Sequence, residues 1–93
     1  MVREVVRITG RVQGVGFRDR VLDIAADYRV AGTVRNLRAD ETLEIDVEGE
    51  PDEVERFIEN VLAHPPTFAR IAAAERERRE PRGVTRFTLE PTA

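Results

Sequence analysis

The spacing of apolar residues alternates between strand and helix periods along this chain, and that order limits the folds it can adopt. Apolar and polar residues alternate over residues 4–12, which predicts a half-buried strand. An i, i+4, i+7 pattern over residues 17–28 then predicts an amphipathic helix. Two more strands are predicted at 32–37 and 43–47, joined by a short polar turn, and a second helix follows over residues 51–62.

Two further alternating segments follow the second helix, around residues 68–76 and 85–89. The resulting order is β-α-β-β-α-β with a short fifth strand. Crossover helices after the first and third strands must both lie on one face of the sheet. We therefore expect an α+β fold of the ferredoxin-like type, with two helices on one face of a mostly antiparallel sheet. A length of 93 residues predicts a single domain over 1–93.

Several residue types are missing, and their absence excludes whole classes of enzyme. The chain has no Ser, Cys, Lys or Trp, its only His is His64, and all 15 basic residues are Arg. Sites with a Ser or Cys nucleophile, a Lys Schiff base or a Walker-type phosphate loop are therefore impossible. The usual zinc sites cannot be assembled either. No apolar run resembles a secretion signal or a membrane span, so we expect a cytoplasmic protein.

Charge is segregated along the chain. Residues 1–38 contain eight Arg against four acidic residues, whereas residues 39–64 contain ten acidic residues and a single Arg. We expect the basic first third to attract a small anion. We expect the acidic block to line the solvent-exposed face of one hairpin and one helix.

The segment Gly10-Arg11-Val12-Gln13-Gly14-Val15-Gly16-Phe17-Arg18 lies between the first strand and the first helix. Glycines at 14 and 16 allow positive φ, so successive backbone N–H groups can point at one anion. The helix N-terminus and the Arg18 guanidinium can bind the same anion. A dinucleotide-binding fingerprint is excluded, because Asp19 stands where its third Gly is required. A tight strand-to-helix turn, with glycines needed only for its geometry, is the alternative interpretation.

As a whole string, this segment resembles the acylphosphatase family, small enzymes that hydrolyse the carboxyl–phosphate bond of acyl phosphates. Further matches are Gly32-Thr33-Val34-Arg35-Asn36, Pro65-Pro66-Thr67-Phe68-Ala69-Arg70-Ile71 and the stretch from Gly83 to Phe87. The resemblance implies that the Arg18 side chain and the backbone of Gly14, Val15, Gly16, Phe17 and Arg18 bind the phosphoryl group. It also implies that Asn36 positions the attacking water, and that no metal and no cofactor take part.

The chemistry of such a reaction agrees with the composition. The leaving group is a carboxylate with a pKa of roughly 4, so it departs without being protonated. No general acid is then required, and charge stabilisation and positioning are enough. We expect acyl phosphates to be substrates, with inorganic phosphate as product, and simple phosphate esters to be poor substrates.

Three positions depart from the family pattern. Tyr28-Arg29-Val30 replaces a Leu-Gly-Leu stretch, and a left-handed Arg29 would cost about 1 kcal/mol relative to Gly. Thr33 replaces a common Trp, and the hairpin at Asp40-Glu41 is longer than usual, so a bulge there could redirect Asn36. His64 is expected to end the second helix and not to act in catalysis.

Three other functions fit parts of this sequence. A non-catalytic phosphate-binding or regulatory module of the same fold would need the loop and Arg18 but not Asn36. The same pattern also occurs as the first domain of a larger hydrogenase-maturation carbamoyltransferase, but a chain that ends after the fifth strand favours a free-standing enzyme. A nucleic-acid-binding sheet would display aromatic residues, whereas the third strand here is acidic. We expect a monomer with no nucleic acid or membrane partner.

Overall fold

The computed structural model describes residues 1–93, and its elements follow the predicted order. They are β1 (Val2–Arg11), α1 (Phe17–Ala25), β2 (Val30–Leu37), β3 (Thr42–Gly49), α2 (Pro51–Ala63), β4 (Arg70–Arg79) and β5 (Phe87–Leu89). The strands form one sheet in the order β4-β1-β3-β2-β5. All neighbours are antiparallel except β2 and β5. The ferredoxin-like α+β architecture predicted from the sequence is confirmed.

The core lies between the sheet and the two helices. Alternate residues of the central strands face the helices, and the apolar stripes of α1 and α2 cover them. The side chains that share this core and are almost fully buried include Val6, Ile8, Phe17, Val21, Val34, Leu43, Ile45, Phe57 and Ile58. Phe87 of β5 packs edge-to-face on Phe57 with ring centroids 5.5 Å apart, which ties the last strand to α2.

The first helix is shorter than predicted, since it ends at Ala25 and not at Tyr28. Its last turn tightens, because the N–H groups of Asp27 and Tyr28 donate to carbonyls three residues back. Tyr28 still packs edge-on against Phe57 beyond the helix end. Arg29 has no positive φ, so the cost of a left-handed conformation is not incurred there.

The hairpin between β2 and β3 is regular. A short 3-10 turn spans Ala39–Glu41, and the positive φ values of the turn are at Asp40 and Glu41. The pairing continues without a shift up to the turn, with Asn36 opposite Leu43. The longer hairpin therefore introduces no bulge that redirects Asn36. The irregular pairing lies instead between β1 and β4, next to Gly10.

The acidic residues of β3 correct one expectation. They lie on the face of the sheet that the helices leave open, but they are buried or nearly so, because β3 is the central strand. Glu44 accepts hydrogen bonds from Arg7 on one neighbouring strand and Arg35 on the other, at 3.1 and 2.9 Å. Asp46 accepts two hydrogen bonds from Arg3, both at 2.8 Å. Two carboxylates of the acidic block are thus neutralised by arginines of the basic first third.

Glu48, near the end of β3, is 1% exposed and bonds to the segment that connects β4 to β5. Its carboxylate accepts the backbone N–H groups of Arg82 and Gly83 at 3.1 and 2.7 Å. These bonds anchor the segment that crosses from one edge of the sheet to the other. The charged run at 75–80 lies on the exposed edge strand β4 and the residue after it.

Candidate active site

The loop between β1 and α1 is shaped by two glycines and one amide tether. Gly14 and Gly16 have φ values of 71° and 78°, in the left-handed region. Gln13 donates from Nε2 to the backbone oxygens of Leu37 and Thr42, at 2.8 and 3.3 Å. These bonds hold the loop against the β2–β3 hairpin, which carries Asn36.

The N-terminus of α1 follows this loop directly. The helix begins at Phe17, whose buried ring fixes the helix on the sheet, and Gly16 precedes it with no side chain capping the first turn. The unpaired N–H groups of that turn and the positive end of the helix dipole favour an anion.

Arg18 lies in the first turn of α1, and its charge has no partner within the chain. It forms no salt bridge, whereas the arginines of the open sheet face pair with carboxylates. Its Nη1 donates to the backbone oxygen of Glu90 at 3.1 Å. This bond orients the guanidinium without neutralising it, which leaves a positive charge available to a ligand.

Asn36 lies near the end of β2, with its side chain 8% exposed. Its Oδ1 is buried and has no hydrogen-bond partner. Buried polar atoms are nearly always paired, and an unpaired one calls for a specific explanation. An Asn amide has the chemistry required to accept a hydrogen bond from a water molecule through its oxygen and to donate one through its nitrogen.

These groups meet in one small cavity of about 230 Å³. The residues that line it are Val12, Gly14, Gly16, Phe17, Arg18, Asp19 and Asn36. Of the residues predicted for the site, the cavity brings together all but Val15, which lines an adjoining groove on the other side of the loop. The cavity combines a cationic side chain, a helix N-terminus and a neutral amide side chain, and this set suits a small oxyanion beside a water molecule.

His64 lies apart from this cavity. It follows the last residue of α2, where its backbone N–H donates to Asn60 O at 3.1 Å. Its position at the end of the helix agrees with the interpretation made from the sequence.

The structure also gives two findings about metals and membranes. No cluster of three or more His, Asp or Glu side chains is placed to hold a metal ion. Neither helix is long and apolar enough to cross a lipid bilayer.

Two contributions to the site were missed in the sequence. The Glu90 carbonyl reaches Arg18 from 72 positions away, and no sequence signal marks it, because every residue has a carbonyl. The role of Gln13 as a tether had a weak signal, since Gln13 stands inside the glycine motif. Only the fold shows which carbonyl oxygens it bonds.

Comparison with known proteins agrees with this geometry. The protein-family model described as Acylphosphatase matches residues 4–89. An acylphosphatase of Methanospirillum hungatei JF-1 is 40% identical over 89 residues, which cover 96% of this chain and 97% of that protein.

Solved structures with a similar fold agree with the sequence comparisons. The crystal structure of acylphosphatase from Bacillus subtilis superposes with a TM-score of 0.89 at 33% identity, covering 97% of this chain and 99% of that one. Full-length HypF in its phosphate- and nucleotide-bound form gives a TM-score of 0.90 at 33% identity, covering 98% of this chain but 12% of that chain. From its sequence, fold and cavity, the chain belongs to the acylphosphatase family.

Proposed function

We propose that this chain hydrolyses acyl phosphates to a carboxylate and inorganic phosphate, without a metal or other cofactor. The observation that carries the proposal is the Asn36 amide, whose oxygen has no hydrogen-bond partner, on the same cavity as the unneutralised Arg18 guanidinium and the open N-terminus of α1. An anion site alone would explain Arg18 and the helix N-terminus. It would not explain a buried amide oxygen without a donor.

Binding of the phosphoryl group is assigned to the loop and to Arg18. Backbone N–H groups from Gly14 to Arg18 and the Arg18 guanidinium together donate to its three terminal oxygens. These donors are fixed before substrate binds, because Gln13 and the Glu90 carbonyl hold the loop and the guanidinium. Preorganised donors stabilise the charge on the equatorial oxygens as the transition state forms.

The attacking water is assigned to Asn36. Its Oδ1 accepts one hydrogen bond from the water and thereby orients a lone pair at phosphorus. The new bond forms between the water oxygen and phosphorus, and the bond between phosphorus and the acyl oxygen breaks. The electron pair of that bond leaves on the carboxylate, and both water protons remain on the phosphate product as H₂PO₄⁻.

Asp19 is the only acidic side chain that lines the cavity, and this reaction does not need it as a general acid. A carboxylate leaving group has a pKa of roughly 4, so it needs no proton at neutral pH. An alkoxide leaving from a phosphate ester would need one. The site is therefore proposed to discriminate against simple phosphate monoesters.

The test is hydrolysis of benzoyl phosphate in the presence of a metal chelator, with two variants. We expect Arg18→Ala to lower kcat/KM by about 100-fold or more, because it removes a charged donor from the phosphoryl group. We expect Asn36→Ala to lower kcat by about 100-fold while inhibition by inorganic phosphate changes little, because Asn36 touches only the water. Arg11→Ala is the matched control, since Arg11 is an exposed arginine that does not line the cavity.

The outcomes separate the candidate functions. Turnover that survives the chelator and is lost in both variants supports the proposal. Phosphate binding that depends on Arg18, without turnover of any acyl phosphate, would instead identify a non-catalytic phosphate-binding module. Turnover that neither substitution reduces would contradict the site assignment.

We also propose that the chain acts as a monomer in the cytoplasm, with no nucleic acid or membrane partner. Its compact shape and the internal pairing of its charged sheet face support this. Sedimentation at micromolar concentration measures the oligomeric state.

A further inference from the structure

A second groove adjoins the phosphoryl cavity. It has a volume of about 350 Å³ and is lined by Val15, Gly16, Asp19, Arg20, Asp23, Pro66, Thr67 and Phe68. Gly16 and Asp19 also line the phosphoryl cavity, so the two spaces meet at the N-terminus of α1. A molecule whose phosphoryl group occupies the cavity can therefore extend into the groove.

Phe68 forms the apolar wall of this groove and is 74% exposed. Single exposed apolar residues are common on protein surfaces, so exposure alone carries no inference. Its backbone is well anchored, however. The Ala69 N–H donates to Pro66 O at 3.0 Å, both of those residues are buried, and two prolines precede Thr67. Phe68 is thus held at the tip of a restrained turn beside Val15 of the phosphate loop.

The groove and Asn36 lie on opposite sides of the strand that carries the loop. Phe68 immediately precedes the segment that leads into β4, and Arg70 at the start of β4 pairs with Arg11 at the end of β1. Asn36 belongs to β2, which lies on the other side of β1 in the sheet order. Asn36 lines the phosphoryl cavity but not the groove.

This placement matters because phosphoryl transfer is in line. The entering water and the leaving group occupy opposite sides of phosphorus. With the water beside Asn36, the acyl group must leave on the side away from Asn36, which is the side of the groove. We propose that Val15 and Phe68 form the binding surface for the acyl group of the substrate and give the enzyme a preference for apolar, uncharged acyl phosphates. This inference rests on the function proposed above.

The charges of the groove support the same preference. Asp19 and Asp23 are exposed and form no salt bridge, while the Arg20 guanidinium donates to the backbone oxygen of His64 at 3.3 Å. The groove therefore carries one more negative charge than positive. An acyl group with its own carboxylate or phosphate is repelled there, and a benzoyl group is not.

The test compares the kcat/KM for benzoyl phosphate with that for acetyl phosphate, since the two share the phosphoryl group and differ in the acyl group. We expect Phe68→Ala to lower the benzoyl-to-acetyl ratio about 5-fold, because a partly exposed aromatic contact is lost. We expect Phe68→Leu to restore most of the ratio. Leu89→Ala is the control, because it shortens an exposed apolar side chain on the opposite edge of the sheet and should leave the ratio unchanged.

A second variant tests the charge argument independently. Asp23→Asn should raise the ratio of kcat/KM for succinyl phosphate to that for benzoyl phosphate about 3-fold at low salt, with a smaller effect at high salt. The inference is overturned if wild-type protein hydrolyses both substrates and the benzoyl-to-acetyl ratio is the same in Phe68→Ala. Failure to hydrolyse either substrate would instead overturn the proposed function itself.

Discussion

At Gly16 the backbone angle φ, and not the space around the residue, decides whether a side chain can be accommodated. Its φ is 78°, and a Cβ built on it would meet no atom within 4 Å. A side chain is therefore disfavoured by the left-handed backbone and not by a clash. The same angle turns the chain from the loop into α1 and leaves the first N–H groups of the helix facing the phosphoryl cavity.

We expect Gly16→Ala to destabilise the protein by about 1 kcal/mol and also to weaken binding of inorganic phosphate, because relief of the strain moves the loop N–H groups. Gly83→Ala is a matched control, since Gly83 has the same φ of 78° and equally open surroundings. It should show a similar stability loss in denaturant unfolding, with phosphate affinity unchanged. Equal phosphate affinity in the two variants would show that the conformation of Gly16 does not serve the anion site.

At the scale of elements, the segment that contains β5 and the residues after it (residues 87–93) links the edge of the sheet to the candidate active site. It runs parallel to β2, where the Glu90 N–H donates to Val34 O at 2.8 Å and the Ala93 N–H donates to Asn36 O at 2.9 Å. The Glu90 carbonyl, between these two bonds, accepts from Arg18. One short segment thus supports both the strand that carries Asn36 and the guanidinium of Arg18.

We expect Glu90→Pro to lower kcat/KM for benzoyl phosphate by about 10-fold, because proline removes the N–H bonded to Val34 and shifts the carbonyl that orients Arg18. Glu90→Ala keeps both backbone groups and should retain nearly full activity. The comparison separates the backbone of this segment from its side chain. A large loss of kcat/KM in Glu90→Ala would mean that the side-chain carboxylate, and not the backbone carbonyl, supports the activity.

For the whole molecule, the charge segregation seen along the chain becomes charge pairing across the sheet. The acidic strand β3 lies between β1 and β2, whose arginines face it on the open side of the sheet. Hydrogen bonds from Arg3 hold the pKa of the Asp46 carboxyl below its ordinary value of 3.8, and burial only partly opposes them. Arg18, in contrast, lines the phosphoryl cavity and bonds only to a backbone oxygen.

We expect Asp46→Asn to destabilise the protein by about 1–2 kcal/mol at pH 7, since it removes a charge-assisted pair of hydrogen bonds from a side chain that is 14% exposed. A lowered pKa in the folded state means that the carboxylate stabilises the fold above the unfolded value of about 4. This stabilisation is lost as pH falls through the lower folded value. The difference between wild type and variant should therefore shrink below pH 4.

Unfolding in denaturant at pH 7 and near pH 2.5 checks this expectation. Asp27→Asn is the control, because Asp27 is exposed and forms no salt bridge, and it should change stability little at either pH. A stability difference for Asp46→Asn that stays constant between the two pH values would show that the ion pair is not its source.

The order of elements, the faces they bury and the loop at Gly14 and Gly16 were predictable from the sequence. Each depends on neighbours within a few positions, through the period of apolar residues or the φ that a glycine allows. The sequence motif also named Arg18 and Asn36 as partners, and the structure places both on one cavity. Element ends were less well predicted, as at Tyr28, because the last turn of a helix depends on local hydrogen bonds that periodicity does not show.

Contacts between distant parts of the chain were decided only by the tertiary structure. The central position of β3 converts an acidic segment, expected to face solvent, into a buried set of carboxylates paired with arginines. The Glu90 carbonyl reaches Arg18, and Phe68 reaches the phosphate loop, only because β4 and β5 close opposite edges of the sheet. Local patterns determine what each segment becomes, whereas strand order and register determine which segments meet.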